Sequence, residues 1–145
     1  MHSGTFNNHV ISTAAGVAAL KIYDEAAVEK LNGRGNLLYS KVQDIFVEQG
    51  FGSGAIVECS KLPRMWISGR GSIFSIRFSG EGADALKGLF WHHMLEHFGI
   101  YLSQRGFMAL TLEVTEDDIE LFARGVRSFV SHYNDLLIDE QIRRE

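Results

Sequence analysis

The chain has 145 residues, 46% of them hydrophobic and 22% charged, with a formal net charge of −4, which suits a domain with its own core and excludes a disordered chain. The acidic balance removes the general electrostatic pull toward nucleic acid or an anionic membrane, and no apolar run approaches the ~20 residues of a membrane span. One cysteine, Cys59, allows no intramolecular disulfide, and the start lacks the basic and apolar regions of a signal peptide, so the expectation is a reduced, cytoplasmic protein.

The first stretch, Ser3-Gly4-Thr5-Phe6-Asn7-Asn8, runs into a helix predicted over roughly Asn8 to Lys21. Gly4 lets a backbone approach closely, Thr5 offers a hydroxyl and an N–H, and an Asn can cap the helix. That chemistry suits a phosphate group, although most turns of this kind are only helix starts. Ala14, Ala15, Gly16, Ala18 and Ala19 bury little area by themselves, which implies packing against a larger body. Asp24 is placed to cap a second helix over Glu25 to Gln49, whose Val28, Leu31, Leu38, Val42 and Ile45 share one face. Gly33 and Gly35 each weaken that helix by about 1 kcal/mol relative to Ala, a sign of close packing or a bend. Gly50, Gly52 and Gly54 end it.

A short strand is predicted over Ala55 to Cys59, before Pro63. Phe74, Ile76 and Phe78 then alternate with Ser75 and Arg77, the period of a strand with one covered face. The preceding Gly69-Arg70-Gly71-Ser72 lacks the Gly-Lys-Ser/Thr ending of a phosphate loop and reads as a turn. Ala83 to Phe98 is an amphipathic helix with Leu86, Leu89, Phe90 and Met94 on its apolar face and Gly99 as its stop. His93 and His97 stand one turn apart, a spacing that can reach one metal or simply pack; with no third ligand evident, no metal site is assigned.

Two short strands follow at Ile100 to Leu102 and Ala109 to Val114, with Arg105-Gly106-Phe107 between them. Thr115 and Asp118 make an approximate capping box for a last helix, whose Ile119, Phe122, Val126, Phe129, Tyr133 and Leu137 keep to one face. The order of elements is that of an α+β fold, a small sheet covered by helices mainly on one face.

Five pieces in order carry a family likeness: Ser3-Gly4-Thr5-Phe6-Asn7-Asn8-His9-Val10 with Ala14-Ala15-Gly16, then Leu31-Asn32-Gly33-Arg34-Gly35-Asn36-Leu37, Gly69 to Phe74, Gly99-Ile100-Tyr101-Leu102, and Thr111 to Ile119. They resemble the C-terminal part of the class III pyridoxal-phosphate-dependent aminotransferases, particularly the glutamate-1-semialdehyde 2,1-aminomutase-like branch; His9 departs from the Asn common there. The resemblance implies that residues 1–24 end the cofactor-binding large domain. It makes residues 25–145 the small domain of a fold-type-I enzyme, with a mainly antiparallel sheet. It makes Thr5, with Gly4 beside it, the contact for the phosphate of pyridoxal 5′-phosphate from the neighbouring subunit of a homodimer. It also makes Arg105 a ligand for the carboxylate of an amino or keto acid, in the planar bidentate manner of arginine; the alternative is an exposed turn arginine.

In that family the lysine that holds the cofactor lies upstream of the Gly-Thr pair, and none of Lys21, Lys30, Lys41, Lys61 and Lys87 stands there. No catalytic residue is therefore assigned to this chain, which is expected to be inactive by itself, whether its parent is a transaminase or an aminomutase. The other reading is a non-catalytic α+β module that dimerises or binds a partner through its helices.

Overall fold

A computed structural model describes residues 9–50 and 63–137; the Ser3 to Asn8 turn, the strand expected at Ala55 to Cys59 and the charged tail lie outside them. The elements are α1 (Val10–Leu20), α2 (Glu25–Glu48), β1 (Met65–Arg70), β2 (Ile73–Phe78), α3 (Ala83–Phe98), β3 (Phe107–Ala109), α4 (Glu116–His132) and α5 (Asn134–Leu137). The fold is the expected α+β arrangement: an antiparallel sheet in the order β1-β2-β3 with α2, α3 and α4 on one face.

Local signals account for the helices. The Asp24 side chain accepts from the Ala27 N–H at 2.8 Å and starts α2, which buries Leu31, Leu38, Val42, Ile45 and Phe46 at helical spacing. Thr115 and Asp118 form a full capping box at α4: the Thr115 N–H donates to Asp118 Oδ2 (2.8 Å) and the Asp118 N–H to Thr115 Oγ1 (3.2 Å). Gly99, at φ 65, ends α3 as a left-handed cap: its N–H donates to the Leu95 carbonyl at 3.0 Å, and the Ile100 N–H reaches back to the Met94 carbonyl at 3.0 Å. The last helix stops earlier than its apolar stripe suggests. It breaks at Tyr133 and restarts as α5, which still buries Leu137.

Three consecutive apolar residues, Met65-Trp66-Ile67, mask the alternation of β1, a strand that the sequence reading does not contain. Met65 and Ile67 face the core, pairing with Phe78 and Ile76, while Trp66 stands on the other face opposite Arg77. Gly71, at φ 60, and Ser72 make the two-residue connection to β2, with a left-handed residue only at the first position as a type II′ hairpin requires. Phe90 of α3 and Phe129 of α4 meet edge to face at 5.1 Å over this sheet.

Two expected strands differ. Ile100 to Leu102 is irregular, and of Ala109 to Val114 only Ala109 belongs to a strand, at the end of β3. The reason is competition for the backbone. Trp91 takes the Leu102 carbonyl, Arg34 takes the Leu112 carbonyl at 2.6 Å, and the Val114 N–H turns back to Thr111, so no ladder propagates. Helix α1 buries none of its residues; Val10 is 78% and Leu20 73% exposed. Among the described residues no helix is long and apolar enough to cross a membrane.

Candidate functional site

The connection from α3 to β3 carries Arg105, and hydrogen bonds hold it at both ends. On the α3 side the Trp91 indole N–H donates to the Leu102 carbonyl at 2.9 Å, and the Trp91 and Tyr101 rings meet edge to face at 6.3 Å. On the β2 side the Ile76 N–H donates to the Gly106 carbonyl at 3.0 Å. Between these anchors is a tight turn: the Gly106 N–H donates to the Ser103 carbonyl (2.8 Å) and the Arg105 N–H to Ser103 Oγ (3.3 Å). Gly106 has φ 75, and a Cβ there would lie 2.2 Å from the Ile76 carbonyl oxygen, so the turn needs glycine.

Arg105 itself is exposed, and among the described residues no carboxylate pairs with it. An exposed guanidinium on a braced turn can meet an incoming carboxylate. Beside the connection runs an apolar groove of about 370 Å³, lined by Leu38, Tyr101, Leu102, Phe107, Leu110 and Phe122 among others; Arg105 does not line it.

His93 and His97, the pair with metal-reaching spacing, lie with ring centroids 4.8 Å apart. His93 is buried among Phe98, Phe129 and Tyr133, and among the described residues neither ring nitrogen has a hydrogen-bond partner. Burial pushes its pKa below the ordinary 6.5, and His97, His132 and His92 add to the effect in that order. Among the described residues no group of three or more His, Cys, Asp or Glu side chains could hold a metal ion.

Gly4 and Thr5 lie outside the described residues. The sequence reading names Arg105 as a candidate but not the bonds that brace its turn. Trp91 sits on a helix full of apolar residues, and nothing local distinguishes an indole that packs from one that donates.

The comparisons decide the family. A β-phenylalanine transaminase of Variovorax paradoxus is 32% identical over 148 aligned residues, which cover 94% of this chain and 31% of that protein. The solved structure of the β-phenylalanine aminotransferase from the same organism superposes with a TM-score of 0.75 at 30% identity, again over 94% of this chain and 31% of that one. The chain corresponds to the C-terminal part of the class III pyridoxal-phosphate-dependent aminotransferases. Pyridoxal phosphate is the cofactor of this aminotransferase family. A glutamate-1-semialdehyde 2,1-aminomutase of Methanobrevibacter smithii matches at 28% identity over 72% of this chain and 24% of its own length. A transaminase solved with the cofactor bound shares the fold, with a TM-score of 0.72 at 20% identity over 91% of this chain and 29% of that one. The chain thus spans about 31% of the length of the curated aminotransferase that it matches over 94% of its own residues. No protein-family model matches it.

Proposed function

We propose that this chain is the C-terminal part of a pyridoxal-phosphate-dependent aminotransferase or aminomutase acting on an amino or keto acid, in a cytoplasmic homodimer. The 32% identity to a transaminase along 94% of the chain carries the reading. In it, residues 1–24 close the large domain and residues 25–145 form the small domain. The Asp24 cap that starts α2, and the wholly exposed α1 before it, support a boundary there.

Gly4 and Thr5 contribute a close backbone approach, an N–H and a hydroxyl to the cofactor phosphate. Arg105 binds the substrate carboxylate and so orients the amino group. The cofactor, when bound, supplies the electron sink, and the protein supplies position and electrostatics. In this reading the lysine that holds the cofactor belongs upstream of the Gly-Thr pair, whereas Lys21, Lys30, Lys41, Lys61 and Lys87 all follow it, so these 145 residues by themselves are expected to turn nothing over.

Two measurements test the reading. Incubated with pyridoxal phosphate and borohydride, the chain alone is expected to show no stoichiometric label on a single lysine and no transamination; a labelled lysine with turnover would overturn the reading. In the complete enzyme, Thr5→Ala is expected to weaken the cofactor roughly 10- to 100-fold through loss of one charge-assisted hydrogen bond, and Thr5→Ser far less. Equal affinities for wild type and both variants would make Thr5 an ordinary helix-start residue.

A further inference from the structure

Arg105 is held by atoms that the sequence pattern does not single out. Its turn is bonded internally through Ser103 and pinned to β2 through Gly106, and toward α3 the connection is held through the Leu102 carbonyl, which accepts from the Trp91 indole N–H at 2.9 Å. The residues around Leu102 form no ladder, so the carbonyl has no strand partner to replace the indole. Trp91 is half-buried on α3, a sixteen-residue helix fixed in the core on either side of it by Phe90 and Met94. An indole N–H is a donor only, and here its one hydrogen goes to the chain three residues before Arg105.

We infer that Trp91 is a positioning residue for substrate selection: its hydrogen bond to Leu102 sets where the Arg105 guanidinium meets a carboxylate. The inference rests on the reading of Arg105 given above and adds to it the residue that decides how well Arg105 does its work. A planar guanidinium gains from a carboxylate only when both N–H groups line up, so a small shift of the turn weakens the bidentate contact while leaving the charge in place. Loss of the Trp91 bond therefore falls on substrates that carry the carboxylate and spares those that lack it.

The test uses the complete enzyme with two amino donors, β-phenylalanine and 1-phenylpropylamine, which differ in the carboxylate. Arg105→Ala is expected to raise KM for β-phenylalanine roughly 10- to 100-fold more than it raises KM for the amine. Trp91→Phe keeps a ring and loses the donor. It is expected to raise KM for β-phenylalanine alone, by roughly 3- to 10-fold, with kcat for the amine preserved. Amide hydrogen exchange over residues 103–107 should speed up by a similar factor without a change in melting temperature. Ser103→Ala, which removes the hydroxyl that accepts from Arg105, gives a second variant with the same pattern should Trp91→Phe fold poorly.

An Arg105→Ala enzyme that treats both donors as wild type does would overturn the carboxylate role and this inference with it. If Arg105→Ala discriminates while Trp91→Phe and Ser103→Ala leave KM and exchange unaltered, the inference alone fails and the role of Arg105 stands. Equal losses with both donors, tracking a lowered melting temperature, would make Trp91 a packing residue and also overturn it.

Discussion

Gly35, in the middle of α2, lies against the carbonyl of Gly71 at the tip of the β1–β2 hairpin: a Cβ placed on Gly35 would stand 1.8 Å from that oxygen. The contact is reciprocal in kind, since a Cβ on Gly71 would meet Asn32 Oδ1 at 2.5 Å. Two glycines far apart in sequence thus let a helix and a turn touch backbone to backbone, which docks the sheet onto α2.

Gly35→Ala and Gly33→Ala should therefore move stability in opposite directions. Gly33 has nothing within 4 Å of its Cβ position, so Ala there gains helix propensity and stabilises by about 1 kcal/mol. At Gly35 the same gain is outweighed by the forced shift of backbone against backbone, a net loss of roughly 1–3 kcal/mol. Urea denaturation of the two variants checks both signs.

Gly106→Ala should weaken the protein and disturb Arg105 together. The residue would take φ 75 with its Cβ 2.2 Å from a strand carbonyl, combining left-handed strain of about 1–2 kcal/mol with a clash. A lower melting temperature with faster exchange at the Ile76 amide is the expected result, and an unchanged melting temperature would show that the turn relaxes freely.

His93 makes stability depend on pH with a determined sign. Its folded pKa lies below the ordinary 6.5, chiefly because burial disfavours the imidazolium, with the neighbouring histidines adding to it. Above 6.5 the ring is neutral in both states and the stability is fully present. As pH falls below 6.5 the unfolded chain binds the proton first, and stability declines until the folded pKa is passed. His93→Phe, which fills the aromatic pocket without two unpartnered nitrogens, should flatten that slope and raise stability near pH 6. Denaturation midpoints at pH 5.5, 6.5 and 7.5 test this; parallel curves for wild type and variant would refute it.

The capping box predicts a second, more acidic dependence. Hydrogen bonds from the Thr115 backbone and then its hydroxyl hold the Asp118 carboxyl below its ordinary 3.8. The helix-start stabilisation is therefore present above 3.8 and is lost as pH falls below it. Asp118→Asn should remove this acid sensitivity, and Thr115→Ala should lower the melting temperature even at neutral pH, since the Asp118 N–H then loses its cap.

The sequence by itself determined where the four long helices lie and what starts them, because the interactions responsible are local, although the break at Tyr133 left no sign in the apolar stripe. Asp24 reaches Ala27, Thr115 reaches Asp118, and Gly99 adopts its left-handed turn, all within a few residues. The strand at Phe74 to Phe78 was legible for the same reason, its alternation being complete in five residues. Tertiary structure decided the rest. Strand β1 depends on pairing that places Trp66 and Ile67 on opposite faces. The irregular paths around Leu102 and Leu112 follow from Trp91 and Arg34, residues 11 and 78 positions away, competing for their carbonyls. Whether Gly35 is a defect in a helix or a seat for a hairpin is likewise set by Gly71. Side chain to backbone bonds and backbone contacts of this range leave no periodic trace in a sequence, because either partner alone is compatible with many environments.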